Sequence, residues 1–230
     1  AVAANHIKPV TFGESKLNFI SVPELVDLGL SVKWASFNLG ATKPEEFGGY
    51  YQWAGTKDVA DESICLDWNN CPYLAGSNAD TDWTKYIPSG KSSYWSGPGS
   101  PDNKTVLDPE DDVVHVNLEC KWRIPTKAEW DELKNTDNCS WTWTAINGID
   151  GYKVQSKKEG FMDNWIFLPA AGYRIENRTD YVDDSYGYYW SSSLDTELPY
   201  CASNLEIDSN SVRTPIHYRY LGMSVRPVSE

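Results

Sequence analysis

Strong helix-start signals occur at only two places in this chain of 230 residues. Asp108 precedes Pro109 and further acidic residues, a pattern typical of a helix N-terminus. Thr126 and Glu129 have the spacing of a capping box, in which the two side chains satisfy free backbone donors at the start of a helix. The sequence therefore predicts one helix after Asp108 and a second over about 126–135. The residues expected on their buried faces are Val113, Val114 and Leu118 in the first and Trp130 and Leu133 in the second.

The rest of the chain consists of short stretches separated by turn-forming residues. Residues 24–40 predict two short strands that turn at Gly29. The Asn-Gly pair at 147–148 predicts a hairpin, and the Asp-Gly pair at 150–151 predicts another turn. The apolar run within 164–174 is typical of a central strand that is buried on both faces.

These patterns favour an α+β fold with two main helices, short and mostly antiparallel strands, and long loops. Residues 56–105 lack periodicity and are rich in turn residues, which predicts a long surface excursion. The chain shows neither an internal repeat nor a linker. The prediction is a single domain over residues 1–230, with a poorly defined segment at 1–22.

Acidic residues outnumber basic residues along the whole chain. The formal net charge is −13 and the isoelectric point is about 4.6. Nucleic acids and anionic membrane surfaces both select basic proteins, so neither is an expected partner. No apolar run approaches the roughly 20 residues of a membrane-spanning helix, and the N-terminal residues lack a signal-peptide pattern. We therefore expect a protein or a glycan as the ligand.

The chain contains five cysteines, none of them in a CxxC pair. This spacing argues against a zinc site and against thioredoxin-type redox chemistry. Cys65 and Cys71 lie in one polar stretch, and Cys120 and Cys139 are the next pair along the chain. The sequence leaves a disulfide open for each pair.

Seven stretches of the chain, in order, resemble a known family. The sequence is similar to the Fibrobacter succinogenes major paralogous domain, a family found on exported proteins of gut Bacteroidetes, and the resemblance covers about residues 25–228. The stretches are VDLGLSVKWA, NKTVLDPEDDVVHVN, KWRIPTKAEWDEL, WTWTAINGIDGYKV, FLPAAGYR, GYYWSSS and SVRPV.

The resemblance implies a C-type-lectin-like fold, in the branch shared with formylglycine-generating enzymes. It implies that the strand near Val32–Trp34 pairs with the chain near Val225–Val228, and that a loop-rich face carries the function. It also implies an exported bacterial protein, located outside the cell, on the cell surface or on a phage particle.

The C-terminal part also resembles the variable regions of proteins that are diversified by retroelements. In those proteins a rigid frame is kept and exposed positions vary. Such an arrangement would explain why large, dissimilar residues lie side by side near the C-terminus without periodicity. The frame would be Ala202, Leu205, Ile207, Val212, Gly222, Ser224 and Val225. The displayed residues would be Glu206, Ser211, Arg213, Pro215, Ile216, His217, Tyr218, Tyr220, Leu221 and Met223.

No catalytic motif is found, and we predict that the chain is not an enzyme. Formylglycine-generating enzymes bind copper with a pair of cysteines near the C-terminus, and here only Cys201 lies in that region. Of the three histidines, His6 lies in the N-terminal segment, His115 favours a structural role, and His217 favours a ligand contact. No GxSxG, HExxH or phosphate-loop motif is present.

No cofactor is predicted, and calcium is the only ion that the sequence leaves open. Glu110, Asp111 and Asp112 are more typical of a solvated helix start than of a calcium site. A looser oxygen cluster is formed by Asp180, Asp183 and Asp184.

The tryptophans suggest an alternative glycan-binding surface. Most of the 11 lie in apolar patterns and are expected in the core. Trp68, Trp83 and Trp95 lie in the polar excursion, where exposed rings would stack on sugars.

We predict a monomeric, non-enzymatic receptor-binding or adhesion module that binds a macromolecule through residues 195–223. This region contains Tyr, Arg and Met, which are residue types enriched at the centres of protein interfaces. The alternatives are a carbohydrate-binding module using the tryptophans, or a structural domain of an exported protein. The predicted contact residues are Tyr200, Glu206, Ser211, Arg213, Ile216, His217, Tyr218, Tyr220, Leu221 and Met223.

Overall fold

A computed structural model describes residues 21–89, 100–118, 121–181 and 185–230. Two α-helices lie within these residues, α1 at Val113–Leu118 and α2 at Lys127–Lys134. Short 3₁₀ helices lie at Trp68–Asn70 and Pro109–Asp111. The strands are β1 Leu25–Val26, β2 Lys33–Ala35, β3 Trp122–Arg123, β4 Cys139–Ile146, β5 Ile149–Ser156, β6 Trp165–Pro169, β7 Tyr173–Ile175, β8 Arg178–Asp180, β9 Gly187–Leu194, β10 Cys201–Asp208, β11 Ser211–Arg213, β12 Ile216–Tyr218 and β13 Val228–Ser229.

The architecture is mostly β, and the predicted α+β class with two main helices is wrong. In the described part of the chain the strands form four sheets, with orders β1-β2-β13-β3, β11-β10-β12 with β9 also on β10, β4-β5-β6, and β7-β8. The helices have only six and eight residues. Capping signals are local and easily recognised, whereas short strands are defined by distant partners, so the sequence gives the helices too much weight. Neither described helix is long and apolar enough to cross a membrane.

The two ends of the described chain meet in one sheet, as the family resemblance implies. β13 pairs with β2, with Val228 opposite Trp34, and on its other side with β3. The β1–β2 turn passes through Gly29 at φ 71°, which confirms the predicted turn position. The preceding residues 224–227 are not a regular strand, because they make only single bridges and isolated backbone bonds to several segments.

The hairpin predicted at the Asn-Gly pair is confirmed. β4 and β5 pair along their whole length, and Asn147 and Gly148 both have positive φ, as a two-residue hairpin turn requires. The turn predicted at residues 150–151 is wrong, because Gly151 lies inside β5, opposite Thr144. β6 is buried on both faces from Ile166 onward, but it lies at the end of its three-stranded sheet instead of the centre.

Both predicted helix starts are found, and each buries the predicted residues. Thr126 and Glu129 form the capping box of α2, which buries Trp130 and Leu133. The segment after Asp108 begins with a 3₁₀ turn before α1. The buried residues of α1 are Val113, Val114 and Leu118.

The segment predicted as a surface excursion contributes to the core. Leu66, Trp83, Tyr86 and Ile87 are each no more than 2% exposed. Trp83 and Ile87 form a small cluster with Cys71 and Leu74. Polar turn residues dominate the sequence pattern here and conceal the few apolar side chains that anchor the segment.

Glu129 provides a test of the α2 N-terminus. Burial raises the pKa of Glu129, but hydrogen bonds from the Arg123 guanidinium (2.6 and 2.8 Å) and from the Thr126 amide outweigh it and hold the pKa below 4.5. A lowered pKa means stability that is present above about pH 4.5 and is lost as the pH falls through the folded value. We expect Glu129→Gln to lower the free energy of unfolding by about 1–2 kcal/mol at neutral pH. Urea unfolding should show this difference shrinking at about pH 3, and an equal difference at both pH values would contradict the assignment.

Candidate ligand-binding surface

The predicted contact residues fall into an accessible group and a buried group. Tyr218 is 46% exposed. Arg213 is also exposed, and Tyr200, Ser211, Ile216, His217 and Tyr220 are half-buried. The accessible group is therefore built from β11, β12 and the segments that flank them.

Leu221 and Met223 are not displayed, and this part of the site prediction is wrong. Leu221 is 3% exposed and Met223 is 0% exposed. The chain turns after β12, where the Leu221 amide donates to the Tyr218 carbonyl, and Met223 then bridges to Tyr51 inside the core. Glu206 is also nearly buried, at 7%, and accepts from the Arg213 guanidinium at 2.6 Å.

The predicted frame residues are buried except Val212, which is half-buried. Ala202, Leu205, Ile207, Ser224 and Val225 are each 0% exposed. β10 carries the first three and pairs with β12, which places Tyr218 opposite Cys201. The frame thus fixes the position from which Tyr218 reaches solvent.

Tyr218 and three other aromatic rings, from three chain segments in all, lie in contact with one another. The Trp68 ring lies 4.6 Å from Tyr220, 5.3 Å from Tyr218 and 6.5 Å from Tyr200, between ring centroids. Tyr218 and Tyr220 stack at 5.6 Å with an interplanar angle of 19°. We call Trp68, Tyr200, Tyr218 and Tyr220 the aromatic surface.

Trp68 is positioned by the short 3₁₀ helix that it begins. The Asp67 carboxylate caps this helix by accepting from the Asn69 amide at 2.8 Å. The side-chain amide of Gln52 donates to the Asn70 side-chain oxygen at 3.3 Å and to the Tyr220 backbone carbonyl at 3.1 Å. These bonds tie the segment that carries Trp68 to the segment that carries Tyr220.

Arg219 lies beneath the aromatic surface and is fully buried. Its guanidinium carbon lies 3.8 Å from the Trp83 ring centroid and 4.7 Å from that of Trp53, and Nη1 donates to the Pro199 carbonyl. Burial lowers the pKa of Arg219 to about 10, so the side chain remains charged at neutral pH. Stacking on rings suits a weakly hydrated guanidinium, which explains how an arginine between two displayed tyrosines is accommodated inside.

Two depressions flank the exposed ring of Tyr218. One, of about 240 Å³, is lined by Leu198, Tyr200, Cys201, Ile216, His217 and Tyr218. The other, of about 220 Å³, is lined by Trp68, Ala79, Asp80, Tyr200 and Tyr218. Concave sites with aromatic walls and a few polar groups are typical of ligand contact.

A second group of tyrosines adjoins this region and was not predicted as functional. Tyr173 stacks on Tyr181 at 5.6 Å and meets Tyr188 edge-on at 4.9 Å, and Tyr188 meets the His217 ring at 5.6 Å. Tyr181 is 45% exposed. The run YGYYW at residues 186–190 is a sequence signal for this group, but its pattern by itself predicts only a strand.

The three tryptophans that the glycan-binding hypothesis requires do not form one exposed set. Trp68 is half-buried and belongs to the aromatic surface, whereas Trp83 is 1% exposed and was wrongly expected to stack on ligands. Trp95 lies outside the described residues.

The cysteines show no pairing among the described residues. Cys65, Cys71, Cys139 and Cys201 are free thiols, which excludes the Cys65–Cys71 disulfide in this structure, and Cys120 lies outside the described residues. Burial raises the pKa of Cys201 to about 12, so this thiol is not a ready nucleophile at neutral pH. Burial also lowers the pKa of His217, whose Nδ1 lies 2.9 Å from the Asn204 side-chain oxygen.

Asp111 and Asp112 have structural roles in place of the solvated positions that we expected, whereas Glu110 is exposed. Asp111 and Asp112 are each 4% exposed. Asp111 accepts from the hydroxyls of Tyr73 and Tyr86 and from the Lys85 ammonium at 2.5 Å. Asp108, Glu110 and Asp111 are grouped closely enough to hold a metal ion, but Lys85 already contacts all three carboxylates. Of the other acidic cluster, Asp183 and Asp184 lie outside the described residues.

Comparison with protein-family models gave no match. No curated protein and no solved structure matched the chain either. The resemblance given by the seven sequence stretches therefore stays a prediction, and the aromatic surface has to be interpreted from its own geometry.

Proposed function

We propose that this protein is a non-enzymatic binding module that recognises a macromolecule on a cell surface through the aromatic surface. The observation that carries the proposal is the convergence of four rings, one of them 46% exposed, between two depressions. Tyrosine and tryptophan give large contact areas at a small cost in side-chain entropy and dominate interface energetics. The buried Cys201 thiol supports a role without covalent chemistry.

The rigidity of the support favours binding over simple core covering. Gln52 joins the two segments that carry Trp68 and Tyr220, and β10 fixes β12. A site whose side chains are ordered before binding loses less entropy when its ligand arrives. The net charge of −13 favours a ligand with neutral or basic character.

Tyr218→Ala tests the proposal directly. We expect a loss of binding of about 30-fold or more, which corresponds to a hot-spot residue. The free energy of unfolding should change by about 1 kcal/mol or less, because Tyr218 is 46% exposed and lies outside the core clusters. Labelled protein should be measured on a panel of bacterial and host cells and on arrays of glycans and extracellular proteins.

Trp165→Ala is the matched control, because Trp165 is an exposed ring on β6 outside the aromatic surface. Equal losses in both variants, or unchanged binding in Tyr218→Ala, would contradict the proposal. Tyr220 is unsuitable as the test residue, because its ring packs against two core clusters and its removal affects folding.

The glycan alternative draws support from Trp68, because this ring is part of the same surface. Replacing Trp68 therefore does not separate protein ligands from glycan ligands. The arrays do so, since reproducible glycan hits that vanish in Tyr218→Ala would favour the carbohydrate reading.

A further inference from the structure

The depression between Trp68, Tyr200 and Tyr218 differs from a flat stacking platform. The Trp68 plane makes angles of 89° with Tyr200 and 63° with Tyr218, and the two tyrosines are inclined at 46°. The three centroids lie 5.3 to 6.5 Å from one another. A sugar ring stacks best on one extended aromatic face, whereas inclined rings meet a compact group from several directions.

The charged residue that lines this depression is Asp80, which lies beside Ala79. Aromatic faces attract cations through their quadrupole, and a nearby carboxylate strengthens the attraction. The positive charge of Arg219 lies on the inner side, against Trp53 and Trp83, and is fully buried.

The position of Asp80 is fixed by its turn. The Asn78 carboxamide accepts from the Asp80 amide at 3.0 Å, and the Asp82 carboxylate accepts from the Asn78 amide at 3.1 Å. The Trp83 indole donates to the Ala79 carbonyl at 2.7 Å, which anchors this turn to the ring beneath Trp68. The turn that carries Asp80 is thus anchored beside the rings before any ligand arrives.

The type of cation follows from the polar groups available. A primary ammonium brings three N–H donors and a guanidinium brings five, and each donor loses water on entering an aromatic pocket. The lining residues include one acidic residue, Asp80, and two tyrosines, Tyr200 and Tyr218. A fully methylated ammonium has no N–H donor to satisfy, and its methyl groups suit contact with ring faces.

We propose that this depression binds a methylated ammonium group, of the kind present in choline headgroups and in trimethylated lysine. The inference rests on the proposed function, because it names the chemical feature that the aromatic surface recognises. The macromolecule would present this group to Trp68, Tyr200 and Tyr218, with Asp80 as the counter-charge.

Calorimetric titration of the full chain with choline and with its neutral isostere 3,3-dimethylbutan-1-ol tests the charge requirement. We expect choline to bind about tenfold more tightly than the isostere, because only choline carries the positive charge that aromatic faces attract. Phosphocholine and an N-acetyl trimethyllysine amide distinguish a headgroup from a modified protein as the source. Equal binding of choline and the isostere, or no binding of any methylated ammonium compound, would overturn the inference.

Three variants locate the site. Trp68→Leu keeps an apolar side chain but removes the ring, and Asp80→Asn removes the charge from an exposed residue without disturbing the core. Each should weaken choline binding several-fold to tenfold. Trp165→Leu is the control, because that exposed ring already has the Lys153 ammonium at 5.0 Å.

Choline affinity that is unchanged in Trp68→Leu and Asp80→Asn would refute the assignment. Cell or array binding that requires Tyr218 while choline fails to bind would leave the proposed function standing and remove only the ammonium pocket.

Discussion

Replacing Arg226 by methionine should lower the free energy of unfolding by about 3–5 kcal/mol, because it leaves three buried hydrogen-bond acceptors without a donor. Arg226 is fully buried, and its guanidinium donates to the Asn38 side chain at 2.9 Å, to the Ala35 carbonyl at 2.9 Å and to the Phe167 carbonyl at 2.6 Å. Methionine fills much of the volume but leaves these three acceptors without their donor. An unpaired buried acceptor costs about 1–3 kcal/mol, which is partly offset because a buried charge is also removed.

The size of this effect reflects what Arg226 connects. Its partners are Ala35 in β2, Asn38 just after β2 and Phe167 in β6, so a single side chain joins the β1-β2-β13-β3 sheet to the β4-β5-β6 sheet. Burial lowers the pKa of Arg226 to about 10, which still leaves the guanidinium protonated at neutral pH.

Urea unfolding followed by circular dichroism measures the loss. Arg178→Met is the control, because Arg178 pairs on the surface with Glu176 and Asp180 and its replacement should leave stability nearly unchanged. Similar losses in the two variants would show that Arg226 has no special structural role.

Asp112→Ala should lower the free energy of unfolding by about 3 kcal/mol, through the loss of a helix cap and an unpaired buried donor. The Asp112 carboxylate accepts from the Val114 amide at 2.8 Å, the His115 amide at 3.2 Å and the Ile124 amide at 2.7 Å. It therefore caps α1 and fixes the chain beside β3 at the same time. Asp112→Asn keeps one acceptor oxygen and should lose about half as much.

Glu110→Ala is the matched control in the same acidic run. Glu110 is exposed and contacts only Lys85, at 3.2 Å, so its removal should change stability by about 0.5 kcal/mol or less. Thermal unfolding of all three variants with calcium and with a chelator separates the structural role from a metal site. A calcium-dependent shift that disappears in Glu110→Ala would contradict the structural assignment.

Local signals in the sequence predicted local structure well. The capping box at Thr126, the helix after Asp108, the turn at Gly29 and the Asn-Gly hairpin are all present. Each depends on residues that are close in sequence, whose backbone preferences act before any tertiary contact forms. The error at residues 150–151 shows the limit, because the pairing of β5 with β4 and β6 overrides the turn preference of Asp-Gly.

The candidate site was predicted only in part. Tyr218 and Tyr220 are among the ten predicted contact residues, and the structure brings both rings to the aromatic surface. The burial of Leu221 and Met223 was missed, because the turn after Tyr218 and the bridge to Tyr51 have no signal in the local sequence.

By itself, the sequence determined the charge, the helix caps, the hairpin turn and the presence of an aromatic group near the C-terminus. Only the tertiary structure decided that the fold is mostly β, that Trp68 joins Tyr200, Tyr218 and Tyr220, and that Arg219 lies inside. The physical reason is the range of the interactions. Caps and turns are set by neighbouring residues. The pairing of β13 with β2, the contact of Trp68 with Tyr218 and the stacking of Arg219 on Trp83 each join segments more than a hundred residues apart.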